Sequence, residues 1–365
     1  MDRKHLPRRQ SLKPSRALTI RDVAKAAGVS VSTVSKALNG NGQLREETRT
    51  AVRDVAERLR FRPNEMARSL PGPRCFTVGL ISIDRKGRFS IPVLDGVEDT
   101  LDAAQISVFL CNTADNPERE RQHVHSLLAK RVDGIIVTGG RAVARPPLDL
   151  EGEDIPVIYA FARVDDPDSL CLLPDDRGGG ELAARHLVGL GRRRFAHITG
   201  PAEAEAVRHR REGFKAALAE HGIALAREQV LTGTWSEAWG HAAVNRLLAT
   251  GAPLDAIFCG SDQIARGVVD ALRDRGMRVP DDVAVVGFDN WEPFAAASRP
   301  PLTTIDMNLH ELGRQAGMRL LAQARDPAVR LRAERALSGK RAKAGVLRLP
   351  CTLVVRESCG APRAE

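Results

Sequence analysis

A chain of 365 residues is long enough for a small module and a body of roughly 290 residues, which is more than one hydrophobic core usually spans. No apolar run approaches the ~18 residues needed to cross a bilayer, and the basic N-terminal stretch lacks the apolar centre of a secretory signal. The six cysteines include no CxxC pair and no dense framework, which is typical of reduced thiols. We therefore expect a cytoplasmic protein.

The positive charge is concentrated at the start of the chain. Residues 1–70 hold 16 Lys and Arg against 7 Asp and Glu, and because the whole chain has a formal net charge of +9, the remainder is neutral. A basic segment attached to a neutral body is expected of a phosphate-binding module. A solubilising tail would explain the arginines of residues 3–16 but not the basic residues that follow.

The stretch TIRDVAKAAGVSVSTVSKALN, residues 19–39, predicts two short amphipathic helices joined by a tight turn. Thr19, with Asp22 three residues later, is expected to cap the first helix, Gly28 to end it and Ser30 to cap the second. A Gly-containing turn between two short helices is the helix-turn-helix pattern, whose second helix enters the DNA major groove; any small helical hairpin would show the same periodicity. The apolar stripes comprise Ile20, Val23, Ala24, Ala27, Val31, Val34, Ala37 and Leu38. The exposed face expected to meet DNA comprises Ser32, Thr33, Ser35 and Lys36.

Residues 45–59, REETRTAVRDVAERL, predict a third helix whose apolar face can complete a three-helix core. The following segment could form two turns of helix at residues 64–70, although isolated helices below ~12 residues are marginal in water. We expect it to be ordered only against a partner, with Leu70 as a candidate apolar wedge for the minor groove. An ordinary interdomain linker is the alternative.

From residue 76 the pattern changes to short apolar runs that alternate with helical stretches. Apolar strands separated by helices predict parallel sheets covered on both faces, and two series of five strands indicate two similar halves. The first series comprises residues 77–83, 107–111, 134–139, 156–161 and 171–174, and the second comprises 195–200, 228–233, 256–260, 283–288 and 302–306. The helices predicted between them include 93–104, 118–130, 180–190 and 206–221.

Ligands of open parallel sheets bind at the carboxyl ends of the strands, which between two such halves means the cleft. Residues that follow the strands offer carboxylates, a guanidinium, hydroxyl and amide groups and aromatic rings, a mixture suited to a sugar. Asp262 has a second interpretation, as the N-cap of the helix after it. The candidate effector-binding residues are Phe89, Phe161, Arg210, Trp235, Ser261, Asp262 and Asp289.

The sequence offers little support for an enzyme. It has no GxxxxGK(S/T) or GxGxxG phosphate loop and no GxSxG nucleophile elbow, and residues 178–180, GGG, are better interpreted as a close helix start. His123 and His125 are two residues apart and would face away from each other on a helix, which makes a poor metal pair. We predict no catalytic residues, no metal and no cofactor.

The order TIRDVAKAAGVSVSTVSKALN, then Thr48-Arg49, then RPNEMARSL at residues 62–70, resembles the DNA-binding head of the lactose-repressor (LacI/GalR) family of bacterial transcription regulators. The resemblance covers essentially residues 18–357. It implies a homodimer, with a tetramer as an alternative assembly, in which each head reads half of a roughly palindromic operator. It also implies a periplasmic-binding-protein-like body whose chain crosses between halves near residue 305 and again near residue 340.

The resemblance also assigns roles by position. Arg210 and Asp289 match the effector-clamping pair, Trp235 matches a ring-stacking position, and Phe161 departs from the polar residue often found at its position. Small residues at 31 and 32 supply little bidentate hydrogen bonding, so the base preference cannot be read from them. The candidate DNA-binding residues are Thr19, Ser30, Val31, Ser32, Thr33, Ser35, Lys36, Asn39, Gln43, Asn64, Ala67 and Leu70.

Together these observations predict an all-α helix-turn-helix head and an α/β body of two parallel-sheet subdomains. The expected function is a ligand-responsive transcription regulator, a repressor that acts on double-stranded operator DNA and is controlled by a sugar-like effector. A regulator corepressed by a purine or another metabolite, and a solute-binding receptor on the same body, are the alternatives. The expected domains are a basic arm at 1–17, the head at 18–62, a hinge helix and linker at 63–73 and an effector-binding and dimerisation domain at 74–365. Within that last domain the expected halves are 76–173 with 305–335, and 174–303 with 345–357.

Overall fold

The computed structural model describes residues 18–39, 43–61, 77–84, 86–102, 104, 106–139, 144–324, 327–337 and 344–361. The chain divides into two compact units, Met1–Cys75 and Phe76–Glu365, called here the head and the body. The predicted arm at 1–17 and the predicted hinge and linker at 63–73 lie outside the described residues. Among the described helices, none combines the length and the apolar character that crossing a membrane requires.

The described part of the head, residues 18–39 and 43–61, folds into three helices around one core. The helices are α1 Ile20–Ala27, α2 Val31–Asn39 and α3 Glu46–Arg58. Small apolar side chains from all three meet in a core that contains Val23, Ala24, Val34, Ala37, Val52, Val55 and Ala56. Val31 does not join them, because 42% of its surface is exposed. The prediction that Val31 belongs to the buried stripe is therefore wrong.

The residues that the sequence indicated form the start of α1 and the turn between α1 and α2. Both the backbone N–H and the hydroxyl of Thr19 donate to a carboxylate oxygen of Asp22, each at 2.7 Å. Gly28 ends α1 with a φ of 66°, a left-handed conformation that glycine adopts without steric cost. Ser30 Oγ then accepts the backbone N–H of Thr33 at 3.1 Å, which caps the start of α2.

The first half of the body is built on six parallel strands within the described residues. They are β1 Thr77–Ser82, β2 Ser107–Asn112, β3 Gly134–Thr138, β4 Val157–Ala160, β5 Leu170–Pro174 and β11 Gly345–Leu349. Their spatial order is β11-β5-β4-β3-β1-β2. The sequence missed β11, because its residues alternate between half-buried and exposed and form no continuous apolar run.

The second half has the same design, again with six strands in the described part of the chain. They are β6 Phe195–Thr199, β7 Val230–Thr232, β8 Ala256–Cys259, β9 Ala284–Asp289, β10 Thr303–Asp306 and β12 Thr352–Val354, in the spatial order β12-β10-β9-β8-β6-β7. The pairing is parallel except where β12 runs antiparallel to β10. The three-residue β12 was also missed from the sequence, since it is too short to give a pattern.

Helices cover the sheets, as the alternation of apolar runs predicts. In the first half these are α4 Ser90–Asp102, α5 Pro117–Ala129, α11 Leu309–Leu321 and α12 Pro327–Ala336. In the second half they are α6 Asp176–Gly189, α7 Glu205–Glu220, α8 Glu237–Ala249, α9 Asp262–Asp274 and the single turn α10 Glu292–Ala295, with a 3₁₀ turn at Arg227–Gln229.

The chain passes between the halves later than the sequence suggested. Strand β10, including residues 305 and 306, belongs to the second sheet, and α11, which follows it, packs on α4 of the first half. Residues 345–349 form β11 of the first sheet, so their assignment to the second half was wrong. The last crossing lies at Pro350 and Cys351, between β11 and β12, rather than near residue 340. Each half is therefore built from segments that are not contiguous in sequence.

Candidate functional site

Arg210 lies on α7 and is held within the second half. Helix α7 approaches α6 closely because residue 180 is glycine, where a Cβ would collide with the carbonyl oxygen of Arg210. The Nε of Arg210 donates to Oδ1 of Asp176 at 2.8 Å, and its Nη1 donates to the carbonyl oxygen of Gly260 at 2.6 Å. The guanidinium carbon lies 3.5 Å from the ring centroid of Phe288. A buried guanidinium with these partners is a fixed positive charge at the carboxyl ends of the strands.

Asp289 ends β9 and faces two guanidinium groups. Its Oδ1 lies 3.8 Å from Nη1 of Arg210, and its Oδ2 is paired with Nη2 of Arg88. Its φ is 108°, and the next residue, Asn290, also has a positive φ, of 51°. L-residues adopt these conformations at a cost, and such strain is concentrated at ligand-binding sites. The backbone thus supports the prediction that Asp289 is a functional carboxylate.

Arg88 is the residue that sequence reasoning missed. It lies in the loop after β1, in the first half, and its Nη1 donates to Oε1 of Gln263 at 2.8 Å in the second half. Its guanidinium carbon is 4.8 Å from the ring centroid of Phe89 and 4.4 Å from that of Trp291. The signal was present in the sequence, since Arg88 directly precedes Phe89 in a loop at the carboxyl end of a strand.

A cavity of about 330 Å³ lies between the two halves. The first half lines it with the loop after β1 and the start of α11, and the second half lines it with the turn after β9 and the end of β10. Its walls combine carboxylates, amides, one guanidinium and aromatic rings. The lining residues are Arg88, Phe89, Pro92, Asp289, Asn290, Trp291, Asp306, Met307, Asn308, Leu309, His310 and Glu311. A concave site whose walls combine polar and charged side chains with apolar ones is suited to a small polar ligand.

The predicted aromatic candidates occupy different places. Phe89 lines the cavity, and Phe161 packs against it with ring centroids 4.9 Å apart. Phe161 itself is buried at the core of the first half. The ring of Trp235 lies 5.9 Å from the guanidinium carbon of Arg210 and rests on Gly200, where any Cβ would collide with it. Of these three rings, only that of Phe89 is directly at the cavity.

Ser261 and Asp262 both make hydrogen bonds within the second half, and their place in the effector site stays a prediction. Both are buried. Ser261 Oγ accepts the backbone N–H of Ile264 at 3.3 Å, so Ser261, and not Asp262, caps α9. Asp262 accepts the backbone N–H of Trp291 at 2.7 Å through Oδ2 and the hydroxyl of Thr304 at 2.6 Å through Oδ1. Asp262 thereby holds the turn after β9, which carries Asn290 and Trp291 into the cavity wall.

The protonation of Asp262 follows from this burial. Loss of hydration, followed by the nearby negative charge of Asp289, raises the pKa of Asp262 well above its usual range. The hydroxyl of Thr304 and the N–H of Trp291 oppose the rise only in part. The two carboxyl groups therefore differ in character, with Asp289 paired to cations and Asp262 favouring its neutral form.

The head presents a compact exposed face on α2. Val31, Ser32 and Lys36 are exposed, whereas Thr33 and Ser35 are half-buried. Of the other predicted DNA contacts, Ser30 and Gln43 are exposed and Thr19 is half-buried. The side chain of Asn39, and all of Asn64, Ala67 and Leu70, lie outside the described residues.

Two families match this chain. Residues 76–350 match the family described as periplasmic binding proteins and sugar binding domain of the LacI family. Residues 19–64 match bacterial regulatory proteins of the lacI family. These two matches correspond to the two-lobed body and the helix-turn-helix head.

Individual relatives match along most of their length. Catabolite control protein A of Priestia megaterium is 33% identical over 309 residues, which are 84% of this chain and 92% of the relative. The HTH-type transcriptional repressor PurR of Mannheimia succiniciproducens is 31% identical over 341 residues, 93% of this chain and 98% of the relative. The lac repressor dimer bound to operator and the anti-inducer ONPF superposes with a TM-score of 0.74 at 27% identity, covering 95% of this chain and all of that one. A complex of the regulator CelR with cellobiose superposes with a TM-score of 0.60 at 28% identity, covering 93% of this chain and 99% of that one.

A DNA-reading head joined to a cleft-bearing α/β body defines a ligand-responsive transcription regulator, which is not an enzyme. The chain belongs to the LacI family of bacterial regulatory proteins. The match of residues 19–64 to the DNA-binding family disfavours the alternative of a solute-binding receptor on the same body.

The assignment of Asp262 to the turn after β9 can be tested with two substitutions. Asp262→Ala leaves the N–H of Trp291 and the hydroxyl of Thr304 without their partner, and each unsatisfied buried group costs about 1–3 kcal/mol. Asp262→Asn keeps an acceptor for the N–H of Trp291 and turns an amide N–H toward the hydroxyl oxygen of Thr304, which can accept it. We therefore expect a much smaller loss in the free energy of unfolding, measured with urea. Equal losses in both variants would contradict the role.

The difference in the free energy of unfolding between the wild type and Asp262→Asn should depend on pH. Because the folded-state pKa of Asp262 is raised, its neutral form adds stability below the unfolded-state value, and this stability declines as pH rises through the folded-state value. Asp262→Asn cannot ionise there. We therefore expect its stability to improve relative to the wild type as pH rises from acid to alkaline.

Proposed function

We propose that this chain is a repressor that binds a palindromic operator as a homodimer and changes its operator affinity when a small polyhydroxy effector occupies the cavity beside Asp289. The observation that carries the proposal is the meeting of Asp289, Arg210 and Arg88 between the two halves, next to that cavity. A ligand that binds both lobes there can change their relative orientation. Such a rotation is a known means of coupling one site to another.

Two effector classes are compatible with the cavity. A sugar is favoured by the carboxylate and amide groups of Asp289, Asn290 and Asp306 beside aromatic rings, and by the likeness to a regulator solved with cellobiose. A purine is the second candidate, favoured by relatives that are PurR repressors and by the flat rings of Phe89 and Trp291. The cavity volume is at the lower end of the roughly 300–1,000 Å³ typical of small-molecule sites.

The proposed DNA-binding surface is the exposed side of α2. Lys36 supplies a cation for phosphate, and Val31 and Ser32 supply small contacts to the edges of the bases. Because these side chains offer little bidentate hydrogen bonding, the hinge residues Asn64, Ala67 and Leu70, outside the described part of the chain, are proposed to add specificity. Leu70 would do so as a minor-groove wedge.

Dimerisation is supported by the edge of the first sheet. Phe109 and Leu110 are neighbours on β2, and each has 45% of its surface exposed. Successive strand residues point to opposite faces, so this edge strand presents apolar surface on both sides. Such an edge promotes pairing with another chain. We propose a second copy of this chain as the partner, and the bacterial nucleoid as the place where the dimer acts.

The DNA-binding proposal predicts a strong dependence on salt. The logarithm of operator affinity should fall linearly with the logarithm of salt concentration, with a slope of about 0.9 for each phosphate contacted. Lys36→Ala should reduce that slope by nearly 2 for a dimer with two heads, measured by fluorescence anisotropy. Lys215→Ala, an exposed lysine on α7 of the body, is the control and should leave the slope unchanged. A flat salt dependence of the wild type would refute the assignment of the head.

The effector proposal can be tested by thermal unfolding of the full chain with a panel of sugars and nucleobases. A ligand at a hundredfold excess over its Kd stabilises the folded state by about 2.7 kcal/mol, which raises Tm by several degrees. Asp289→Ala should lose this shift, while Asp274→Ala, an exposed carboxylate of the same half, should keep it. A shift that survives Asp289→Ala would place the effector elsewhere. A response to nucleobases alone would favour the purine alternative.

A further inference from the structure

Arg88 joins the two halves of the body across the cleft. It comes from the first half, and its two terminal nitrogens reach Oε1 of Gln263 and Oδ2 of Asp289 in the second half. Phe89, also of the first half, and Trp291 of the second half both lie within 5 Å of the guanidinium carbon. The guanidinium of Arg88 thus makes hydrogen bonds through both terminal nitrogens and contacts two aromatic rings, both of which its planar, delocalised charge favours.

This arrangement has the features of a bound ligand. The acceptors of the second half, Asp289 and Gln263, are the groups that the N–H or O–H donors of an effector would use. The side chains of Arg88 and Asp289 are only 12% and 6% exposed, so their attraction is weakly screened by solvent. Because Arg88 is attached to the chain, its effective concentration at this place exceeds that of a free competitor.

The fit of Arg88 is nevertheless incomplete. Its Nε is buried without a hydrogen-bond partner among the described residues, and a buried donor left unsatisfied is costly. Its acceptor Asp289 has the strained φ of 108°. The cavity of about 330 Å³ that Arg88 helps to line lies beside these contacts. An occupant with an unsatisfied donor and free volume beside it can be displaced.

We propose that Arg88 is a tethered ligand of the effector cleft, which holds the two halves together until an effector takes its place on Asp289 and Gln263. The proposal rests on the proposed function, because it assumes that effectors bind in this cleft. It assigns to Arg88 a part in specificity: an effector must present donors to the same two acceptors and must compete with a built-in guanidinium. Apparent affinity is then reduced by the fraction of molecules in which Arg88 occupies the cleft.

The test uses the full chain without effector or DNA, labelled with 5-fluorotryptophan. The chain has three tryptophans, so fluorine NMR gives three signals, which single Trp→Phe variants assign. The H2O/D2O isotope shift of each signal measures the solvent exposure of that indole. In Arg88→Ala we expect the shift of Trp291 to rise toward the value of the free amino acid. Trp239, whose Nε1 donates to the carbonyl oxygen of Thr199, should keep its wild-type signal and so verify the fold.

Chemical rescue distinguishes a ligand from a merely structural side chain. Millimolar methylguanidinium added to Arg88→Ala should return the isotope shift of Trp291 to the wild-type value, whereas methylammonium and sodium chloride at equal concentration should not. Arg145→Ala is the matched control, because Arg145 makes a bidentate ion pair with Glu120 of similar burial but within the first half. It should leave Trp291 unchanged.

Several results would overturn the proposal. The first is an isotope shift of Trp291 in Arg88→Ala that equals the wild-type value. The second is a rise of that shift in Arg145→Ala as large as in Arg88→Ala. The third is a return to the wild-type value with methylammonium that is as complete as with methylguanidinium. If Arg88→Ala does not fold, Arg88→Lys carries the test, since it keeps the charge but lacks the planar fork and should also expose Trp291. Failure of these experiments would leave the proposed function intact, because none of them involves an effector or an operator.

Discussion

Two guanidinium groups, one from each half of the body, converge on the carboxylate of Asp289. Arg210 approaches it from the second half at 3.8 Å, and Arg88 pairs with it from the first half. All three side chains are largely withdrawn from water, so the strength of each interaction depends on the presence of the others. Removing the carboxylate leaves two cations without their shared partner, which is why a ligand that binds Asp289 can influence both lobes at once.

Other residues of the second half hold Arg210 and Asp289 in position. The close packing of α6 on α7, which requires glycine at residue 180, places Arg210 where Asp176 and the carbonyl oxygen of Gly260 can hold it. Asp262, whose pKa is raised by burial and by the charge of Asp289, fixes the turn after β9 by accepting a hydrogen bond from the N–H of Trp291. These hydrogen bonds stabilise a turn in which Asp289 and Asn290 have positive φ values. A strained, well-supported turn is typical of a site that must hold a ligand in one geometry.

Much of the fold could be predicted from the sequence because its signals are local. Apolar runs marked the strands, and the caps at Thr19 and Ser30, with Gly28 between them, marked the helix-turn-helix. The failures have equally physical causes. Strand β11 alternates in burial, and pairing with β5, a contact distant in sequence, decides which half it joins. Val31 lay on the expected helical stripe, but at the first turn of α2 it faces outward.

The candidate site was less accessible to prediction. Residues after strands led to Phe89, Arg210 and Asp289, since topology alone brings carboxyl ends together. Topology alone could not reveal that Asp262 accepts a hydrogen bond from the N–H of Trp291, 29 residues away. It also could not reveal that Arg88 crosses to the other half, because such pairing depends on the relative position of the lobes.

We propose that occupancy of the cleft and operator binding are linked through the two lobes, which the pairing of Arg88 with Asp289 connects. A thermodynamic cycle tests this most directly: operator affinity is measured with and without a saturating cleft ligand, and ligand affinity with and without operator. Linkage requires that both affinities change by the same factor, which for coupled sites is typically about 5–150-fold. We expect the two factors to be equal and to differ from one. A ligand that fills the cavity and leaves operator affinity unchanged would contradict the proposed linkage.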